Sequence, residues 1–122
     1  MSFVNNEEVE MTDGERQFLL TAVWLFMRHG RRDRALGVCE ALCEANPRDG
    51  VAAAALAELL LDGGESARAI EVLRSADFAP ELLHAQAVLE TRALRMSGRA
   101  SEANSRWHRY LEARKGSGRK WV

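Results

Sequence analysis

Strand-forming and rigid residues are scarce in this chain of 122 residues. It contains two prolines and one tyrosine, aromatic residues make up 7% of it, and Val, Ile and Thr are few beside Ala, Leu, Glu and Arg. Because β-branched and aromatic residues dominate strands, this composition disfavours a β-sheet protein. With 47% apolar and 29% charged residues, we expect one all-α domain with a single core.

A long apolar run and a strong net charge are also missing. The most apolar stretch, at 51–61, is interrupted by Glu58 and is too short to span a bilayer, and no basic segment followed by an apolar one opens the sequence. We therefore expect a cytoplasmic protein without membrane insertion. The net charge is −1 at pH 7, which provides no overall field that attracts nucleic acid.

The sequence lacks the motifs of catalysis and of cofactor binding. Its three histidines have no Ser, Cys or carboxylate at a catalytic spacing, and there is no Gly-rich phosphate loop, no HExxH and no paired CxxC. Cys39 and Cys43 share one helical face, which is poor disulfide spacing and fits reduced core thiols. A zinc site that adds His29 to both cysteines lacks a fourth ligand at the usual spacing. We predict a non-enzyme without cofactor or metal.

The chain does contain an internal repeat with a period of 34 residues. The repeated positions are Gly30, Gly64 and Gly98, each followed five residues later by Ala35, Ala69 and Ala103. This period is the length of the tetratricopeptide (TPR) unit, in which glycine ends the first helix and a small residue in the second lets the helices cross closely. It predicts three tandem TPR-like helix-turn-helix repeats in a short right-handed solenoid, and a function in binding.

Capping residues and helix breakers predict the helices of the first repeat. Thr12 and Glu15 form a capping box, so the first helix begins there and ends at Gly30. The second helix is expected at 32–45, because Pro47 cannot continue it. Shifting this template along the chain, with Pro80 in a first helical turn, predicts the remaining helices at about 50–62, 65–75, 81–98 and 99–115.

The folded domain is therefore expected to span 12–115. Residues 1–11 are rich in Glu and Asn with little periodicity, and we interpret them as a flexible acidic N-terminus. The last seventeen residues carry six Arg or Lys against one Glu. We interpret this charge as a solvated helix end followed by a flexible basic tail at 116–122, not as a nucleic-acid site.

Four positions of the first helix in each repeat point into the concave groove of a TPR stack. They are Gln17, Leu20, Trp24 and Met27 in the first repeat, Val51, Ala54, Glu58 and Leu61 in the second, and Ala85, Val88, Arg92 and Arg95 in the third. The predicted groove is apolar at one end and charged at the other. Such a surface suits the apolar face of a helix from another protein.

The apolar members of this set have an alternative place in the core, because apolar residues at helical spacing are often buried. Phe18, Ala22 and Phe26 are expected to fill the core of the first hairpin, which leaves the row with Leu20 and Trp24 on the other side. A helix that is apolar nearly all round needs cover on both faces. A partner or a second copy of the chain can provide it.

A further pattern occupies residues 12–47 and part of the last helix. It consists of Thr12, Phe18-Leu19-Leu20, Trp24, Gly30, Arg34-Ala35, Leu42 and Asn46-Pro47, with Tyr110-Leu111-Glu112 near the end. The first group resembles the opening, and the last three residues the ending, of the YscY-type (SctY) chaperones of bacterial type III secretion systems. The Ala-rich helix at 51–61, the cysteine pair and the basic tail depart from the family pattern.

The resemblance implies a small cytosolic bacterial chaperone that catalyses nothing. It would bind the X-type (SctX) secreted protein as a heterodimer and bring it to the SctV-type export-gate protein. It implies that Phe18, Leu19, Leu20 and Trp24 take part in partner binding. Three alternatives stay open: a chaperone of a translocator or needle subunit, a self-associating TPR scaffold, and a metal or redox protein that uses Cys39 and Cys43.

Overall fold

The part of the chain that the structure describes consists mainly of α-helices. The structure is a computed structural model that describes residues 11–118, which form six α-helices and no strand. The helices are α1 (Asp13–Arg28), α2 (Arg32–Ala45), α3 (Gly50–Asp62), α4 (Ser66–Ser75), α5 (Leu83–Met96) and α6 (Ala100–Gly118), and a 3₁₀ turn at Pro80–Leu82 precedes α5. The prediction of an all-α fold is confirmed. Within this range, none of the helices combines the length and the apolar character needed to cross a membrane.

Three of the connections between helices share one backbone geometry. The glycines at 30, 64 and 98 have φ values of 73°, 81° and 77°, a region in which a Cβ clashes with the backbone. The residue after each glycine donates its backbone N–H to the carbonyl oxygen five residues earlier, at 2.7, 2.8 and 2.8 Å. This is the Schellman ending of a helix, and it satisfies carbonyls that α1, α3 and α5 would otherwise leave without a donor.

The alanines of the repeat lie in the second helix of each hairpin. Ala35, Ala69 and Ala103 are all fully buried, at 0% exposure. A side chain as small as a methyl group allows two helix axes to approach closely. Each helix contacts the next one along the chain, and α3 also contacts α5. The core extends continuously through these contacts and consists mainly of leucines and alanines.

The ends of the described region differ from the prediction. Met11, expected in the flexible N-terminus, is half-buried and packs against the core. At the other end α6 continues to Gly118, so the predicted end of the folded domain at 115 falls inside the helix. A single glycine such as Gly116 weakens a helix but does not have to stop it. Residues 1–10 and 119–122, which include most of the predicted acidic segment and Trp121, lie outside the described residues.

One carboxylate inside the helix packing joins three helices. Glu90 on α5 is 5% exposed, and its two oxygens accept hydrogen bonds from Nε of Arg74 at 2.9 Å and Nε of Arg106 at 2.8 Å. Burial alone would raise the pKa of Glu90, but the hydrogen bonds from Arg106 and Arg74 outweigh it and hold the pKa below its ordinary value. The charged form is therefore the stable form in the fold, and it links α4, α5 and α6.

The same substitution at two glycines should change stability in opposite directions. Gly64→Ala places a Cβ at φ 81° and is expected to lower the free energy of unfolding by about 1–2 kcal/mol. Gly37 lies inside α2, where a Cβ would meet no atom within 4 Å. Gly37→Ala should therefore raise the free energy of unfolding by roughly 0.5–1 kcal/mol. Urea unfolding followed by circular dichroism measures both. A Gly64→Ala variant as stable as the original chain would contradict the assigned backbone geometry.

Candidate partner-binding surface

An open groove lies between one side of α1 and the first turn of α3. It has a volume of about 440 Å³, and its walls are Arg16, Gln17, Leu20, Thr21, Trp24 and Val51. We call it the α1–α3 groove. It brings together four of the residues predicted from the repeat template, Gln17, Leu20, Trp24 and Val51. Arg16 and Thr21 also line it and were missed, because the template assigns only four positions per helix.

Trp24 is the largest apolar side chain of this groove and it is left in contact with solvent. Its exposed fraction is 56%, and that of Val51 across the groove is 40%. The guanidinium carbon of Arg28, one turn later on α1, lies 5.0 Å from the centre of the indole, a cation–π contact that covers part of one ring face. An indole that keeps half its surface exposed beside other apolar side chains is typical of a protein-interaction site.

A bidentate ion pair fixes the position of the α1 wall relative to α3. Nε and Nη2 of Arg16 donate to the two carboxylate oxygens of Asp49 at 2.6 and 3.0 Å. Asp49 is also the N-cap of α3, since its Oδ1 accepts from the backbone N–H groups of Val51 and Ala52 at 3.1 and 3.2 Å. The hydrogen bond from Arg16 is the main reason that the pKa of Asp49 is lowered, and it outweighs the opposing effect of burial. One side chain thus begins α3 and holds α1 against it.

Three of the four other predicted groove positions on α1 and α3 are less accessible than expected. Met27 and Ala54 are half-buried and pack against the core, whereas Glu58 is exposed on α3. The prediction that Leu61 faces the groove is wrong, because Leu61 is 2% exposed and belongs to the core. Helices α2, α4 and α5 all contact α3, and together they leave this helix little free surface.

Phe18 has the highest exposed fraction among the large apolar side chains of the described residues. Its side chain is 71% exposed, so it does not fill the core of the first hairpin. It precedes Trp24 by six residues, a rotation of about 120° around a helix, and it is not part of the α1–α3 groove. It shares its side of α1 with Leu25, which is 44% exposed. Helix α1 therefore has two separate exposed apolar regions.

The predicted positions on α5 form a second site, which we call the α5–α6 pocket. It has a volume of about 340 Å³ and is lined by Val88, Thr91, Arg92, Arg95, Met96 and Trp107. Val88, Arg92 and Arg95 were predicted, whereas Ala85 is half-buried and does not line it. Trp107 was missed because it occupies the repeat position of Cys39 and Leu73, which are both fully buried. On α6 that position is only half-buried.

The two cysteines lie in the core and at its edge. Cys39 is buried and Cys43 half-buried, and both are free thiols. Burial is the main cause that raises the pKa of Cys39 to about 12 and that of Cys43 to about 11. A thiol that stays protonated is a poor nucleophile and a poor metal ligand. Across residues 11–118, no group of three or more His, Cys, Asp or Glu side chains is positioned to hold a metal ion, so no observation favours the metal or redox alternative.

Comparison with known proteins adds no relative. No family model matches the sequence, and no curated protein matches it. The resemblance to YscY-type chaperones therefore rests on the residue pattern of 12–47 and of the last helix alone.

The lowered pKa values of Asp49 and Glu90 predict a loss of stability in acid. A carboxylate whose pKa is lower in the folded chain stabilises the fold above its ordinary pKa, here 3.8 for Asp49 and 4.5 for Glu90, and this contribution is lost as the pH falls through the folded value. We therefore expect the urea midpoint to fall as the pH is lowered from about 5 to 3.

The variant Asp49→Asn measures how much the Arg16–Asp49 pair contributes to the loss of stability in acid. Asn still caps a helix but cannot be protonated, so the acid-dependent loss should become smaller while stability at pH 7 falls by about 1 kcal/mol. Glu44→Gln, at an exposed carboxylate on α2, is the matched control for the removal of one negative charge. An acid-dependent loss that is unchanged in Asp49→Asn would contradict the role of the Arg16–Asp49 pair.

Proposed function

We propose that this chain is a binding protein that holds an apolar helix of a partner in the α1–α3 groove. The observation that carries the proposal is the exposed indole of Trp24 beside Leu20 and Val51. Aromatic side chains in such positions contribute most of the free energy of many protein interfaces. A groove with apolar walls and a polar rim, here Arg16, Gln17 and Thr21, is the usual receptor for an amphipathic helix.

The finer architecture belongs to the same proposal. We infer three TPR-like hairpins stacked into a short right-handed solenoid. The three Schellman turns and the three buried alanines, both spaced by 34 residues, support this arrangement. In such a stack the first helices of the hairpins share one face. The groove between α1 and α3, and the ion pair of Arg92 on α5 with Asp62 on α3 at 3.2 Å, agree with it.

The family resemblance suggests which partner this is. We propose a cytoplasmic YscY-type chaperone of a bacterial type III secretion system, with the X-type secreted protein as partner and delivery to the SctV-type export gate as its role. Leu20 and Trp24 support this assignment, because they belong both to the family-like pattern and to the α1–α3 groove. Phe18 and Leu19 belong to the pattern but not to the groove.

Two charge substitutions on α1 distinguish its two exposed apolar regions. Trp24→Glu puts a carboxylate into the proposed interface and should weaken binding of a co-expressed X-type protein by about 2–4 kcal/mol. Phe18→Glu makes the same change at a more exposed aromatic outside the groove, and binding should be retained. Gel filtration with light scattering detects the complex and calorimetry gives its Kd. Circular dichroism and urea unfolding establish that both variants are folded.

Each other outcome has a definite meaning. If folded Trp24→Glu binds as tightly as the original chain, the groove is not the binding surface, and loss of binding in Phe18→Glu alone would assign the partner to the Phe18 side. If no X-type protein forms a complex, translocator and needle subunits are the next partners to co-express. A free chain that is dimeric, with a dimer that Trp24→Glu dissociates, would show a self-associating scaffold in which two copies cover each other.

A further inference from the structure

Helix α1 leaves exposed a set of positions that the repeat buries on α3. We call the side of α1 that carries Phe18, Ala22 and Leu25 the open face. The residues 34 positions later, on α3, are Ala52, Leu56 and Leu59. Their exposed fractions are 0%, 2% and 2%, whereas those of Phe18 and Leu25 are 71% and 44%. The open face is therefore an apolar surface at positions that are packed against other helices in the second hairpin.

In the later hairpins, the second helix of the preceding hairpin contacts this set of positions. Nη2 of Arg32 on α2 donates to the carbonyl oxygen of Leu59 on α3 at 2.6 Å. Nε of Arg74 on α4 donates to Glu90 on α5 at 2.9 Å, and Glu90 is the repeat equivalent of Ala22. Within residues 11–118 no helix precedes α1. The open face thus has the place of a helix contact and lacks the helix.

The other end of the helix stack is polar. The last helix, α6, exposes Ser101, Glu102, Ser105, Arg109 and Glu112. Polar surfaces of this kind are usual on the terminal unit of a soluble repeat protein. A head-to-tail contact between two copies would bury these charges against the apolar open face, which costs free energy. The open face therefore fits a second open face better than it fits α6.

The charges at the two ends of α1 favour an antiparallel contact between two copies. Asp13 and Glu15 are exposed at its beginning, and Arg28, Arg31 and Arg34 are exposed at its end and at the start of α2. Among the described residues none of these side chains forms an ion pair. In an antiparallel pair, the acidic beginning of each α1 faces the basic end of the other. A parallel pair would bring like charges together.

We propose that two copies of this chain associate through the open face, with the two α1 helices antiparallel. Residues 18 and 25 lie at equal distances from a two-fold axis close to Ala22, so Phe18 of each copy contacts Leu25 of the other. The small side chain of Ala22 allows the helices to approach closely. Phe18 then reaches a pocket of about 410 Å³ in the second copy, which is lined by Leu25, Phe26, His29, Arg31 and Arg34.

Self-association uses a different side of α1 from the α1–α3 groove. Trp24 lines that groove and Phe18 does not, so a dimer of this kind leaves the groove accessible. Dimerisation and partner binding are therefore separate properties. The charge substitutions at Phe18 and Trp24 are expected to affect them in opposite ways.

The first experiment measures the association of the full chain by analytical ultracentrifugation, from about 1 μM to 1 mM. We expect a monomer–dimer equilibrium. Phe18→Glu should raise its dissociation constant about 100-fold, because a symmetric interface loses two aromatic anchors. Trp24→Glu, the same change at an exposed aromatic outside the open face, should leave the constant unchanged, and circular dichroism establishes that both variants are folded.

Two results of this experiment would overturn the proposal. A chain that stays monomeric throughout would do so, and residues 1–10 or another protein would then be the candidates for covering the open face. A dimer that Phe18→Glu does not weaken would also do so, and its dissociation by Trp24→Glu would assign self-association to the α1–α3 groove.

The second experiment tests the antiparallel arrangement with single cysteines. Ala22→Cys places a thiol near the two-fold axis, so mild oxidation should link the two copies covalently. His29→Cys is the matched control, because it lies seven residues further along the same side of α1. Its two copies would be about 21 Å apart along the helices, too far for a disulfide. The original chain sets the background from Cys39 and Cys43. Cross-linking at residue 29 and not at 22 would overturn the proposal.

Discussion

Every hairpin of this protein depends on a glycine that can adopt the left-handed backbone conformation. At residues 30, 64 and 98 the chain ends one helix, reverses and begins the next within a few residues. Because the turn is the same each time, the alanine five residues later always arrives at a fully buried position. The 34-residue period of the sequence thus reflects a turn conformation that recurs every 34 residues. The groove between α1 and α3 forms from helices that these turns hold in place.

Two carboxylates complete the packing that the glycine turns begin. Asp49 and Glu90 each accept hydrogen bonds from more than one group, and each joins helices through arginine side chains. The two carboxylates have different effects because they lie at different places in their helices. Asp49 lies at the beginning of a helix and holds the arginine that forms a wall of the α1–α3 groove. Glu90 lies in the middle of α5, and its two arginines join that helix to α4 and α6.

Local chemistry in the sequence predicts the helices well, and contacts between distant residues explain what it misses. The capping box at Thr12, the glycine at 30 and Pro47 act within one helical turn, so the bounds of α1 and α2 agree with the prediction. The exposure of a side chain depends instead on what packs over it. Leu61 is covered because three helices contact α3, and Phe18 is exposed because no described helix covers that side of α1. The exposure of these two side chains therefore cannot be predicted from the residues within one helical turn of them.

Part of the candidate site was predictable, because the spacing of residues along one helix determines which of them share a face. The repeat template predicts four of the six residues that line the α1–α3 groove, Leu20 and Trp24 among them. It cannot find Arg16, whose position is set by Asp49 at a distance of 33 residues along the chain. Nor can it find Trp107, because the same repeat position is buried in α2 and α4 and only half-buried in α6. Repeats make positions equivalent in backbone geometry, and their different neighbours make them unequal in exposure.

The chain order of the helix contacts also affects how this protein folds. Most contacts join one helix to the next along the chain, so little loop entropy is lost in forming them, and chains of this kind fold quickly. The α1–α2 hairpin packs on one side only within the described residues, and it carries the α1–α3 groove. A ligand in that groove would therefore bridge the hairpin to α3 and oppose its separation from the rest. A ligand that binds only when the hairpin is packed on α3 would therefore lower the population of chains in which the first hairpin is locally unfolded.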